Sequence, residues 1–229
     1  MEKQVRKKVK IRWKALLGVV LLGVFLFFSY RWLIEIKIQN IYIEGNELLK
    51  DQEIIELAGI EDYPSFLGTF SSTMKERLLE SPYIVDVKIE KHWFGEVVLK
   101  VEEAKPLFLT VDGNLILSNQ KEIPNDKNLV VATAVNYIPD AKQEALVKNL
   151  SKLEDTIRLL ISEIQYEPTE QDKDRFGFYM SDGNVVYITL TKFSRMNYYL
   201  DSVAQVECKR GIFNFDSGNH FEIKEDICK

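Results

Sequence analysis

One long apolar run, near the amino terminus, is free of charged residues. Residues 15–30 (ALLGVVLLGVFLFFSY) are bounded by Lys14 and Arg31. A helix of this length spans about 24 Å, and the flanking cations and aromatic residues suit the two interfaces of a bilayer. The end of the run lacks the spaced small residues that a signal peptidase requires. We therefore predict an uncleaved transmembrane helix at residues 15–33.

Alternating and helical patterns follow one another over the next seventy residues. Isoleucine alternates with polar residues over 34–43, which predicts one or two short strands. Helical spacing of apolar positions follows at 51–58 and again at 73–80. Two further alternating segments on either side of Gly95 predict a β-hairpin. Residues 34–106 are thus expected to form a compact β-α-α-β-β module.

The second half of the chain alternates short apolar strands with turns. The tripeptide Asp-Gly-Asn occurs at 112–114 and at 182–184, each time between two strand patterns, and predicts two hairpins. Amphipathic helices are predicted at 141–161 and at 195–208. These elements predict, for residues 107–221, a second mixed α+β domain with a mostly antiparallel sheet. The strand predicted at 211–216 is its last, and 222–229 are expected to form a tail. Overall, the predicted fold class is α+β.

Charge is distributed unevenly on the two sides of the apolar run. Residues 1–14 carry seven basic side chains and one acid, whereas 22 basic residues face 34 acidic ones from Trp32 onward. The positive-inside rule therefore places the basic tail, residues 1–14, in the cytoplasm and the larger part outside, a single-pass type II topology. The acidic outer part repels polyanions, so nucleic acid is not an expected partner.

The sequence contains a partial catalytic signature. Ser72 and Lys75 match the S-x-x-K motif of penicillin-binding enzymes, and residues 181–184 approximate the S-D-N motif, but no K-T-G follows. His92 and His220 have no second ligand at metal-binding spacing. We predict no catalytic, cofactor-binding or metal-binding residues, and keep a cell-wall acyl-transfer enzyme as an alternative.

Two cysteines occur, both in the part predicted to lie outside the membrane. Cys208 and Cys228 could close a loop near the carboxyl terminus. A disulfide requires their Cα atoms to approach within about 7 Å, and the sequence leaves that open.

The order and spacing of several segments resemble the polypeptide-transport-associated (POTRA) domain of the FtsQ/DivIB cell-division family. The basic tail, the single anchor and the second β-rich domain also resemble that family's layout, so the resemblance covers nearly the whole chain. The segments that carry it are 41–46 (IYIEGN), 53–54 (EI), 79–84 (LESPYI), 85–93 (VDVKIEKHW) and 101–106 (VEEAKP).

The resemblance implies a non-catalytic scaffold of the bacterial divisome, located in the cell membrane at the division septum. Its implied partners are FtsL and DivIC or FtsB-type bitopic proteins, through which it helps to regulate the septal peptidoglycan synthase complex. An exposed sheet edge can accept a partner strand, and Phe215, Ser217, Asn219 and Phe221 are expected to line it. A POTRA-bearing secretion or assembly protein is a further alternative, but the helix predicted at 141–161 does not fit the barrel it would need.

Overall fold

The computed structural model describes residues 13–206, 209–218 and 220–226. The chain divides into two compact units, Met1–Glu102 and Glu103–Lys229. Helices and strands occur in both units, so the predicted α+β class is confirmed. Both cysteines lie outside the described residues, so their pairing stays an open question.

The apolar run forms one helix, α1 (Trp13–Ile34). Within the described residues it is the one helix that is long and apolar enough to cross a membrane, over Leu16–Ile34. The expectation that a strand pattern starts at Ile34 is wrong, because the helix continues to that residue. Arg31 and Glu35 lie at helical spacing, with Nη2 and Oε1 3.9 Å apart, which favours continuation of the helix past the cation.

The rest of the first unit is a three-stranded sheet with two helices. Its strand order is β1-β3-β2, β1 runs parallel to β3, and the elements follow one another along the chain as β-α-α-β-β. The helices bury Ile54, Met74 and Leu78 completely, which supplies most of the driving force for their packing. The elements are β1 (Asn40–Glu44), α2 (Asp51–Ala58), α3 (Ser71–Glu80), β2 (Ile84–His92) and β3 (Glu96–Glu103).

In its described part, the second unit contains one nine-stranded sheet, in the order β12-β11-β10-β9-β8-β7-β4-β5-β6. Five of the eight neighbouring pairs are antiparallel, in agreement with the predicted mostly antiparallel sheet. The strands are β4 (Pro106–Leu109), β5 (Asn114–Leu117), β6 (Glu122–Pro124), β7 (Ala132–Ala134), β8 (Ile161–Tyr166), β9 (Arg175–Met180), β10 (Val185–Thr189), β11 (Lys209–Asn214) and β12 (His220–Asp226).

The helix predicted at 141–161 is in fact two helices and the start of a strand. Helix α4 (Asp140–Leu150) ends where the Ser151 hydroxyl bonds the Lys148 carbonyl, and α5 (Asp155–Arg158) follows after Glu154, whose backbone is extended. The chain then enters β8. Because Leu153 and Ile157 are buried in the broken arrangement as well, the apolar stripe did not distinguish it from a continuous helix.

The helix predicted at 195–208 also differs from the observed structure. The chain forms a 3₁₀ segment, Leu190–Tyr198, followed by the short helix α6 (Tyr199–Ala204). Its predicted end at Cys208 lies outside the described residues. The aromatic and β-branched residues Phe193, Tyr198 and Thr191 weaken the preference for a long α-helix here.

The predicted tail at 222–229 is wrong for residues 222–226, which belong to β12. This strand pairs antiparallel with β11, from Asn214 opposite His220 to Lys209 opposite Asp226. Its charged residues hide the strand pattern in the sequence, but they are tolerated because β12 lies at the edge of the sheet.

A buried polar network fixes the connection from β10 to β11. Asn184, with 3% of its surface exposed, donates from Nδ2 to the Tyr199 hydroxyl and accepts at Oδ1 from the Gly211 N–H, over 3.1 and 2.9 Å. The Tyr199 hydroxyl in turn donates to Asp182 over 2.6 Å. Burial, together with this hydrogen bond, raises the pKa of the Tyr199 hydroxyl far above its usual range. The turn before β10 is therefore joined to α6 and to β11.

Replacing Asn184 with alanine is expected to destabilise the second unit by about 1–3 kcal/mol, because two buried groups lose their partners. Hydrogen exchange of the β10 and β11 amides in the full chain measures the loss. Asn114→Ala is the matched control, since Asn114 ends the other Asp-Gly-Asn turn and bonds Glu122 near the surface. Equal effects of the two substitutions would contradict the role given to Asn184.

Candidate protein-binding edge

The two edges of the nine-stranded sheet differ in their capacity to accept another strand. Strand β6 has three residues and ends on Pro124, which has no N–H to donate. Strand β12 has seven residues, none of them proline, and no described strand lies on its outer side. The β12 edge is therefore the candidate site for strand addition in this unit.

The register identifies which backbone groups of β12 point outward. On β11, the N–H of Gly211 bonds Asn184, and just beyond the strand the N–H of Phe215 bonds the Tyr187 carbonyl, so odd-numbered residues bond toward β10. Phe221 and Ile223 lie opposite the odd-numbered Phe213 and Gly211. In an antiparallel pair, such residues direct their backbone groups away from the partner strand. The N–H and C=O groups of Phe221 and Ile223 thus face the open edge.

A groove of about 310 Å³ lies between α6 and the β11–β12 hairpin. Phe221 packs on Phe213 at its inner wall, with ring centroids 4.5 Å apart. Ile223 and Tyr198 have 53% and 62% of their surface exposed. Apolar side chains of a partner strand could enter this groove while its backbone pairs with β12. The groove is lined by Tyr198, Asp201, Ser202, Gln205, Val206, Phe213, Phe215, His220 and Phe221.

Cations fix the chain where it leaves β11 for the turn to β12. Lys192 donates to the Asp216 carbonyl, and Arg195 donates to the Phe215 carbonyl over 2.8 Å. Arg175 bonds the Asp216 carboxylate over 2.9 Å and lies over the Tyr187 ring, 4.0 Å from its centroid. These contacts hold the hairpin from its inner side and leave its outer strand available.

The same contacts determine the protonation of Asp216. Burial by itself would raise the pKa of this carboxyl, but hydrogen bonds from Arg175 and Ser217 outweigh burial and hold the pKa below the usual 3.8. Asp216 is therefore ionised at neutral pH, and its pair with Arg175 stabilises the hairpin.

Comparison with known proteins supports the resemblance seen in the sequence. Residues 36–104 match the profile of the POTRA domain, FtsQ-type. The cell division protein DivIB of Listeria monocytogenes is 25% identical over 235 residues, covering 96% of this chain and 85% of that protein. DivIB of Bacillus subtilis is 28% identical over 194 residues, covering 81% and 74%. Residues 36–104 thus match an FtsQ-type POTRA domain, and most of the chain is similar to DivIB cell division proteins.

A solved structure from the FtsQ/DivIB family is also similar to this chain. It is the major extracytoplasmic domain of DivIB from Geobacillus stearothermophilus, at 22% identity and a TM-score of 0.39. The similarity covers 46% of this chain and 96% of the solved one.

The four residues expected to line the binding edge have different environments. Phe221 lies on β12 beside the groove, and Ser217 is exposed in the turn before it. Phe215 has 2% of its surface exposed and belongs mainly to the core; it contributes to the groove lining, but little of its surface is open to a partner. Asn219 lies outside the described residues. Ile223 was not among the residues predicted to line the edge, although its alternation with Phe221 was visible in the sequence.

Three residues of the partial catalytic signature have structural partners, and Ser72 is a surface residue. Ser72 is exposed on α3, and Lys75 on the same helix pairs with Asp86, 2.7 Å away. Asp182 and Asn184 belong to the buried network around Tyr199. Among the described residues, no group of three His, Cys, Asp or Glu side chains could hold a metal ion.

The lowered pKa of Asp216 predicts the acid sensitivity of the β11–β12 hairpin. The ion pair stabilises the fold above about pH 4 and is lost as the pH falls through the lowered pKa. Asp216→Asn should reduce hairpin stability at neutral pH and weaken its decline toward about pH 2. Hydrogen exchange of β11 and β12 against pH measures both effects. Glu222→Gln, which alters an exposed pair with Lys224, is the control, and an unchanged pH profile in Asp216→Asn would contradict the assignment.

Proposed function

We propose that this chain is a non-catalytic, membrane-anchored scaffold of the bacterial division machinery. Its FtsQ-type POTRA match, and relatives named as cell division proteins, support a role in division. The helix α1 is consistent with an anchored protein. The observation that carries the proposal is the open β12 edge beside a groove with aromatic and polar lining, which is a feature for binding protein segments.

The proposed topology places the amino terminus in the cytoplasm and both units outside, at the septum. The basic residues preceding α1 and the acidic composition following it support this orientation. Partners with the same single-pass topology would then present their own outer segments to the two units.

The proposed binding mode is addition of a partner strand to β12. The outward N–H and C=O groups of Phe221 and Ile223 would pair with the backbone of the incoming strand. Between Glu222 and Asp226 the strand carries three acids and one lysine, and Asp201 lines the groove beside it. This charge favours a partner segment that contains basic residues.

The proposed partners are FtsL and a DivIC or FtsB-type protein, as the family resemblance implies. Pairing with β12 would order the outer segment of such a partner. Through that complex the chain would help to regulate the septal peptidoglycan synthase complex without a reaction centre of its own.

Ile223→Pro is expected to abolish co-purification of the DivIC-type partner from membranes. Proline removes one outward N–H of β12 but no bond to β11, so the hairpin is retained. Capture through the full-length chain, followed by identification of the bound proteins, measures the loss.

Two further variants separate the possible causes of that loss. Ile223→Ala keeps the N–H and removes most of the side chain, so it should weaken capture less than proline does. Glu222→Pro removes an N–H that faces β11 and should loosen the hairpin in hydrogen exchange, which Ile223→Pro should not. Capture at the wild-type level by Ile223→Pro would refute strand addition.

Protease added to intact spheroplasts is expected to digest both units, because they lie outside the membrane. An epitope placed before α1 should survive this treatment and be degraded only after lysis. Protection of the second unit in intact spheroplasts would contradict the proposed topology.

A further inference from the structure

The hairpin between β2 and β3 presents two aromatic side chains to solvent. Trp93 and Phe94 at its tip each have 88% of their surface exposed. Phe94 also has φ = 70°, a left-handed conformation that a bulky residue rarely adopts. Neither packing in the described structure nor turn geometry explains two large aromatic residues here, because glycine or asparagine would fit the turn better.

The backbone holds this hairpin next to the end of α1. The Gln39 N–H donates to the Gly95 carbonyl over 2.8 Å, and Asn40 of β1 pairs with Glu96 of β3. Gln39 is five residues beyond Ile34, so at most about 18 Å of chain separates the helix end from the hairpin.

A second segment, the loop 61–70, is bonded to the last residue of α1 itself. The Ser65 hydroxyl donates to the Ile34 carbonyl over 2.6 Å, and the Phe66 N–H donates to the Ile36 carbonyl over 2.8 Å. The same loop carries Phe70, with 66% of its surface exposed, and the exposed residues Tyr63 and Leu67.

Lys91 joins the two segments. Its ammonium group donates to the Phe66 carbonyl and, over 2.7 Å, to the Thr69 carbonyl, and it lies 4.4 Å from the centroid of the Phe66 ring. Lys91 is two residues before Trp93 in the chain. The loop 61–70 and the hairpin tip therefore lie side by side, and we call their exposed large apolar residues the apolar rim: Tyr63, Leu67, Phe70, Trp93 and Phe94.

We propose that this rim inserts into the headgroup region of the same bilayer that holds α1. Tryptophan and tyrosine favour that region, where their rings meet lipid and their polar atoms meet water. Phenylalanine and leucine are stabilised there by burial at the boundary between headgroups and acyl chains. Because α1 ends within a few residues of the rim, the lipid surface is always within reach at high effective concentration. The first unit then has a second contact with the membrane, which restrains its orientation about the end of α1.

Tryptophan fluorescence of the full-length chain tests the proposal. With Trp13→Phe and Trp32→Phe, Trp93 is the remaining tryptophan. The protein is reconstituted in vesicles of phosphatidylglycerol and phosphatidylethanolamine, and carbonate-resistant flotation selects the inserted molecules. Trp93 emission should shift to shorter wavelength, lose intensity with lipids brominated in the upper acyl chain, and be protected from iodide.

The matched control moves the tryptophan to the opposite end of β3. In the same background, Trp93→Phe with Glu102→Trp places it at an exposed site about 20 Å along the strand from Glu96. This site should keep the emission of a solvated tryptophan and show no quenching by bromolipid. Identical behaviour of the two sites, or protection of Trp93 only when another protein is added, would overturn the proposal.

Discussion

The outer part of the second unit depends on the buried amide of Asn184. Strands β10 and β11 are parallel, so the chain must leave the sheet between them and return in register. Asn184 lies immediately before β10 and donates a hydrogen bond to Tyr199, midway along the segment that connects β10 to β11. It also accepts a hydrogen bond from the Gly211 N–H near the start of β11. A single side chain thus fixes the start, the middle and the end of the connection. It thereby adds to the backbone pairing that holds β11 between β10 and the edge strand.

The β11–β12 hairpin is held by contacts on the side that faces the core, and no described strand lies on the outer side of β12. Arg175, Lys192 and Arg195 bond the segment that follows β11, and Phe213 packs between Tyr199 and Phe221. Ordering a strand during binding costs conformational entropy. A strand that is already ordered before binding avoids this cost. The charges and rings beneath the hairpin would therefore contribute to the proposed binding, although none of the three cations belongs to the open edge.

The sequence predicted an element correctly where the spacing of its apolar residues fits only a helix or only a strand. The first unit follows this rule, since its helices and strands have distinct periods. The segment 141–161 failed because Leu153 and Ile157 are buried whether or not the helix continues. Alternation placed Phe215 and Phe221 on one face but did not reveal which is covered. The turns at 112–114 and 182–184 have the same sequence, yet only the second is buried by a tyrosine that lies 15 residues from Asn184. Such differences come from tertiary contacts, which local patterns do not contain.

The unequal ends of the nine-stranded sheet have a consequence for stoichiometry. Copies of a sheet that could pair at both ends would stack into an open filament, since each addition regenerates the site for the next. Here Pro124 closes one end, so growth in that direction stops at β6. Under the proposed binding mode, the nine-stranded sheet would take up one foreign strand at β12 and offer no second edge for a further copy.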